Sequence, residues 1–259
     1  MRRMNRIFAK DKKTVVIAMD HGLGLSVNPE LDNAGQVLEA VVRGGADAVL
    51  TSYGIARQYE DVLAETGLIL RMDGGGSLLG PASENGRLLY TAEEALKIGA
   101  DAMICMGFPG APYEYGSMEN VVRLAAKAHE WGLPLMTEML PGGFSPDIPN
   151  SPENVRLAVR YGCEAGADII KTTYTGTPEE FKIIINASFK PVVVLGGEKT
   201  SDLASLFECL ENAMACGASG VAIGRNVWKH KNPEAFTRAL VALVHQNAGA
   251  KDALSMIPQ

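Results

Sequence analysis

Gly166-Ala167-Asp168-Ile169-Ile170-Lys171-Thr172-Thr173-Tyr174 joins the end of one helix to a buried strand. A glycine just past a helix reaches the left-handed backbone that closes the last turn. The run Asp168–Thr173 is too short for a typical helix and apolar enough for a strand covered on both faces. The same device recurs at Gly45-Ala46-Asp47, Gly99-Ala100-Asp101 and Gly217-Ala218-Ser219. Short apolar runs at Thr14–Met19, Asp47–Thr51, Leu68–Met72, Asp101–Met106, Pro134–Met139, Asp168–Thr173, Pro191–Leu195 and Gly220–Gly224 predict eight strands. Amphipathic helices fill most intervals. One is predicted over Glu119–Trp131, with Val122, Ala125, Ala126 and His129 on one face. Ser151-Pro152, Thr177-Pro178 and Asn232-Pro233 each place a capping side chain before a proline at the first helical position. This alternation predicts an α/β protein, one (β/α)8 TIM barrel over residues 1–259 with a short N-terminal arm. An open doubly wound sheet is the weaker reading, because strand one ends in Met19-Asp20-His21-Gly22 rather than in a glycine-rich turn.

A hydrophobic fraction of 47% supports a sizeable core, while a net charge of −6 disfavours nucleic acid or an anionic membrane as partner. No apolar run reaches the ~18–20 residues of a membrane span, and no signal segment opens the sequence. The basic start, Met1-Arg2-Arg3-Met4-Asn5-Arg6, reads as a solvated arm. Cys105, Cys163, Cys209 and Cys216 show no zinc-ligand spacing, and the four histidines are scattered. Cys209 and Cys216 would stand about 10 Å apart along one helix, too far for a disulfide. The cysteines therefore read as small buried hydrophobes in a reduced cytoplasm, and no metal or cofactor is expected.

A barrel of this kind carries its chemistry at the C-terminal ends of its strands. Lys171 stands there, and an unpaired ammonium in a buried strand costs several kcal/mol or more. It escapes that cost by losing its proton, becoming a nucleophile toward carbonyls, or by snorkelling or pairing with a carboxylate. Asp20 either caps a loop or steers proton transfer beside the lysine, and His21 is a rim residue of the binding site. Glu138 needs a cationic partner if it faces inward, and Lys171 and Arg225 are the expected ones. A raised carboxyl pKa would suit proton shuttling by Glu138 or Asp20. Gly196-Gly197 after strand seven and Gly224-Arg225 after strand eight predict a phosphate cradle, with Arg225 supplying the charge. Tyr174 is a possible proton donor more easily read as rim packing; Trp228, Tyr53 and Tyr113 read as packing.

Ala18-Met19-Asp20-His21-Gly22, Ile170-Lys171-Thr172-Thr173-Tyr174-Thr175-Gly176, Gly196-Gly197-Glu198-Lys199 and Gly220–Trp228 together resemble the class I Schiff-base aldolases of the archaeal fructose-bisphosphate aldolase type. That group includes aminodideoxyheptulosonate synthases and the phospho-autoinducer-2 thiolase. The resemblance implies a metal-independent lyase of carbohydrate metabolism, acting on a phosphorylated keto substrate and assembling as a homo-oligomer, a pentamer or decamer. It implies Lys171 as the Schiff-base residue, Asp20 as its acidic neighbour, and Gly196, Gly197, Gly224 and Arg225 as the cradle. Relatives carry a tyrosine before Pro-Arg-Gly late in strand five. Here Leu140 precedes Pro141-Gly142-Gly143, which makes Glu138 the expected substitute acid/base. The segment Arg71-Met72-Asp73-Gly74-Gly75-Gly76-Ser77 is closer to the thiolase branch, and Ser77 is a candidate substrate contact. Coenzyme-A-dependent acyl transfer on a phosphorylated diketone is thus the alternative activity, and a non-catalytic phosphate-ligand binder the alternative outside enzymes.

Overall fold

Eight parallel strands close into a barrel in a computed structural model that describes residues 2–23, 28–74, 76, 86–145 and 147–258. The strands are β1 Thr14–Met19, β2 Ala48–Thr51, β3 Gly67–Arg71, β4 Ala102–Gly107, β5 Leu135–Met139, β6 Ile169–Thr172, β7 Val192–Leu195 and β8 Gly220–Ile223. Each pairs with its sequence neighbours, and β8 returns to β1, so the order around the ring is sequential. The predicted (β/α)8 architecture is borne out, with strand ends shifted by a residue or so.

Alternation along the strands divides the core in two. Val16, Ala18, Leu50, Ile69, Ile104, Met136, Ile169, Val193 and Ala222 point inward and fill the lumen. Val15, Ile17, Val49, Leu70, Met103, Leu135, Ile170, Val194 and Val221 point outward against the helices. Continuing the inward series toward the C-terminal rim brings up Asp20, Arg71, Glu138 and Lys171. The site is thus the polar top layer of an otherwise apolar lumen.

The repeated Gly-Ala-Asp has a double purpose. Gly45, Gly99, Gly166 and Gly217 all have positive φ, between 80° and 103°, at the end of a helix. The aspartate carboxylate then accepts from the first strand amides of the preceding β-unit: Asp47 from Val15, Asp101 from Leu68, and Asp168 from Leu135, at 2.7–3.1 Å. These carboxylates tie the bottom rim together where sheet pairing begins.

Several local expectations change. The long helix before β5 runs Glu114–Trp131, five residues earlier than predicted, and buries Met118, Val121, Leu124, Ala125 and Ala128. Val122, Ala126 and His129 are exposed, because the face turned to the barrel is the one carrying Val121 and Leu124. Arg2, Asn5 and Arg6 of the N-terminal arm are exposed, as expected of a solvated segment, but the arm is anchored to the barrel. Residues Met4–Ile7 form a helical turn that stoppers the barrel, with Ile7 fully buried among the lumen residues. Arg3 donates to the Ala100 carbonyl, and Arg6 to those of Ala64 and Thr66. A Cβ at Gly67 would lie 2.2 Å from the Arg6 carbonyl oxygen, so the stopper requires glycine there. Cys105 and Cys163 are buried as expected, whereas Cys209 and Cys216 are only half-buried; all four are free. The predicted caps at Ser151, Thr177 and Asn232 all accept from helix amides.

His245 ends the helix Pro233–His245 and bridges two carboxylates, Asp11 at 2.8 Å and Asp47 at 2.9 Å. The Asp47 hydrogen bond, with Asp11, raises its pKa above 6.5 against the opposing effect of burial. A raised folded-state pKa stabilises fully below the unfolded value and is lost as pH rises through the folded one. Thermal melts of wild type and His245→Gln should therefore differ more at pH 6 than at pH 9. Equal differences at both would exclude a charged bridge.

Candidate active site

The register sets Glu138 directly beside Lys171 across β5 and β6. Lys171 Nζ lies 2.8 Å from Glu138 Oε1, and both side chains are under a tenth exposed. Of the two partners expected for Glu138, Lys171 is present and Arg225 is not. The second partner is Arg71, from the end of β3, whose Nη2 lies 2.7 Å from Glu138 Oε2. Arg71 also donates from Nε to Asp20 at 2.6 Å and from Nη1 to Asp73 at 3.2 Å. One guanidinium therefore faces three carboxylates. Its fixed fork of donors suits that task as a lysine's point charge would not.

The electrostatics follow. Burial alone would raise the Asp20 carboxyl, but Arg71, then Lys171 and His21, outweigh it and hold the pKa at about 2. Burial pulls Glu138 the same way, and Lys171 and Arg71 again prevail, so its pKa falls below 4.5. The expectation of a raised carboxyl at Glu138 or Asp20 is corrected: two cations stand closer to them than a lone buried acid would have. Asp73 behaves oppositely. Burial dominates over Arg71 and over the Met106 amide that donates to it at 2.8 Å, and its pKa is raised. As pH falls, Asp73 takes up a proton before Asp20.

His21 Nδ1 sits 3.7 Å from Asp20 Oδ1, and its ring meets Trp228 edge-on at 5.3 Å. Burial first, with Lys171 and Arg225 adding to it, lowers its pKa and keeps the ring neutral near pH 7. Trp228 is buried and donates to the Ala18 carbonyl, as packing requires.

The four cradle residues come together at the rim of β7 and β8. Gly224 precedes the short helix Arg225–Trp228. Asn226, which carries no sequence signal of its own, donates to the Gly196 and Glu198 carbonyls and accepts from Thr200, locking the two loops to each other. Arg225 approaches Glu198 at 3.4 Å, while its buried Nε has no partner among the described residues. A single cavity of about 380 Å³ is lined by the cradle and by Lys171, Glu138, Arg71, Asp20, Asp73, His21 and Leu140. Ser77 lies outside the described residues. Tyr174 leaves the cavity and packs on Phe181 at 4.7 Å, whereas Tyr113, expected to be mere packing, lines the mouth.

Arg71 and Asp73 are the candidate site residues that the strand pattern did not bring forward. Their signal was present: an arginine on the inward phase of an apolar strand calls for acidic partners as loudly as Lys171 does.

A profile described as DeoC/LacD family aldolase matches residues 14–230. The chain belongs to the DeoC/LacD aldolase family. It is 35% identical to the 2-amino-3,7-dideoxy-D-threo-hept-6-ulosonate synthase of Halobacterium salinarum, covering 98% of this chain and 94% of that protein. It is 33% identical to the class 1 fructose-bisphosphate aldolase of Thermoproteus tenax, over 93% and 92% of the two chains. A solved archaeal fructose-1,6-bisphosphate aldolase, with its catalytic lysine bound to the carbinolamine intermediate, superposes with a TM-score of 0.84 at 32% identity. The coverage there is 94% of this chain and 98% of that one. The expected Schiff-base aldolase family is borne out. No helix among the described residues is long and apolar enough to cross a membrane.

Arg71→Met should destabilise the fold by about 3–5 kcal/mol, because it strands buried carboxylates. The depressed Asp20 pKa contributes stability above its unfolded value near 3.9 that is lost as pH falls toward about 2. Denaturant unfolding should therefore show the largest gap from wild type at pH 7 and a narrowing gap toward pH 3. A gap independent of pH would mean that Arg71 acts by packing alone.

Proposed function

We propose that Lys171 forms an imine with a phosphorylated keto substrate and that the enzyme makes or breaks the carbon–carbon bond next to it. The observation that carries this reading is Lys171 itself. A buried amine at a strand's C-terminal end, 2.8 Å from a carboxylate, shares one cavity with a phosphate cradle. Attack on the ketone needs the amine free of its proton, and Glu138 is the group placed to take it. A dianionic phosphate entering the cavity opposes the cations that lower the Glu138 pKa. The carbinolamine loses its hydroxyl as water, leaving an iminium that withdraws electrons.

In the cleavage direction a base removes the proton of the β-hydroxyl, the carbon–carbon bond breaks, and the aldehyde departs. The electron pair passes into the enamine, which is then protonated at carbon and hydrolysed. Condensation runs the same steps backward. Glu138 and Asp20 serve as proton carriers and charge partners, in the place left by Leu140. His21, Gly196, Gly197, Gly224 and Arg225 bind substrate, and the phosphate supplies binding energy far from the reacting carbon. The residues required are all side chains and backbone of this chain, and no metal or cofactor enters the scheme. We also infer a homo-oligomer in the cytoplasm, supported by exposed Leu157 and Ile183 on neighbouring helices, by exposed Phe189 just past the second of them, and by the free thiols.

Borohydride added with dihydroxyacetone phosphate or another keto phosphate should trap one adduct on the peptide containing Lys171, read by mass spectrometry. Lys171→Ala and Lys171→Arg should abolish it. Glu138→Gln should lower turnover by about 100-fold or more; unchanged turnover would remove Glu138 from the mechanism.

Arg225→Ala should weaken binding of a phosphorylated substrate about tenfold to a hundredfold, the scale of one charge-assisted contact. Calorimetric titration with inorganic phosphate and a sugar phosphate measures it, and wild-type affinity in the mutant would overturn the cradle.

A further inference from the structure

The active-site cavity has two unlike poles. Resting on the Schiff-base reading above, we propose that its aldehyde component is uncharged and carries an apolar, preferably aromatic, group rather than a second phosphate. The ring order decides where the far end of a bound substrate lies. β8, with its cradle loop, stands opposite β4 in the eight-strand ring, and β6, with Lys171, lies midway between them. A keto compound anchored by phosphate at β8 and joined to Lys171 at β6 must extend its remaining carbons toward β4 and β5.

That side is an aromatic wall. Phe108 follows β4, Tyr113 stands at the start of the helix Glu114–Trp131, and Leu140 and Phe144 follow β5. Phe108 meets Tyr113 edge-on at 5.4 Å and Phe144 at a tilt at 5.5 Å. Phe144 is 58% exposed, although a large apolar side chain at a cavity mouth gains from being covered. An apolar ligand group covers it, and its ring can stack or meet the others edge-on.

The charges of the cavity exclude a second anion. Its cationic side chains are Arg71, Lys171 and Arg225, with neutral His21. Arg71 is occupied by three carboxylates and Lys171 by one. Arg225 belongs to the cradle at the opposite pole. The chain outside the described residues adds none, since positions 1, 24–27, 75, 77–85, 146 and 259 contain no Lys, Arg or His. Arg87 sits on the two-residue pair Asp73–Gly74 with Arg87–Leu88 above the barrel, exposed and outside the lining. A second phosphate at the β4–β5 side would instead lie among apolar rings near Asp73 and Glu138, unpaired and repelled.

Two experiments test this. Condensation rates should be measured with whichever keto phosphate yields the Lys171 adduct, offering phenylacetaldehyde, D-glyceraldehyde or glyceraldehyde 3-phosphate. Phenylacetaldehyde should exceed glyceraldehyde 3-phosphate at least tenfold in kcat/KM. Phe144→Lys, at an exposed position, should reverse the order by losing apolar stacking and adding a cation. Independently of turnover, calorimetry should show 6-phenylhexyl phosphate binding at least tenfold more tightly than hexitol 1,6-bisphosphate. Equal or tighter bisphosphate binding, or preference for glyceraldehyde 3-phosphate while the adduct forms, overturns the inference and leaves the Schiff-base reading intact. Failure to form an adduct with any keto phosphate overturns both.

Discussion

Arg71 is the residue on which the site depends. It rises from the floor of the cavity and holds Asp20, Asp73 and Glu138 at hydrogen-bond distance, and through Glu138 it fixes Lys171. Those groups come from β1, the segment after β3, β5 and β6, so the clamp spans much of the ring. Each carboxylate would be costly alone in the top layer of an apolar lumen. Together with two cations they form a network whose members satisfy one another.

The network also divides labour among chemically similar groups. Three carboxyls lie around one guanidinium, yet Asp20 and Glu138 are driven toward the charged form and Asp73 away from it. The difference arises from counting neighbours. Glu138 and Asp20 feel Lys171 as well as Arg71, whereas among the described residues Asp73 has Arg71 and the Met106 amide to set against its burial. A negative charge brought into this balance raises the pKa of the carboxyls it approaches.

The fold supplies the rigidity that such a cluster needs. The Gly-Ala-Asp clamps and the N-terminal stopper secure the bottom rim, leaving the top rim to carry loops of divergent character. The cradle at β7 and β8 is built of glycine backbone, one arginine and the Asn226 tie. The opposite side is aromatic. One barrel thus presents a glycine-rich end carrying Arg225 and an aromatic end on either side of Lys171.

Much of this was legible in the sequence. Strand phase, helix caps and the glycine stops are local, governed by residues a few positions apart, and they specify an eightfold βα alternation without knowledge of any long-range contact. Lys171 and the glycine-arginine cradle were legible for the same reason, since a charged residue in an apolar strand or a glycine pair at its end is a local anomaly. The partners were not. Arg225 seemed as good a match for Glu138 as any cation, and only closure of the barrel showed Arg71 across the lumen and Arg225 turned to the cradle. The lowered pKa of Glu138 has the same origin, because it depends on charges 33 and 67 positions away in sequence. That Ile7 would anchor the exposed basic arm was not legible, because its burial depends on the open bottom of a barrel that exists only after folding. Sequence determined which residues must find partners; the tertiary structure decided which partners they found, because electrostatic and packing energies depend on distances in space that strand closure alone sets.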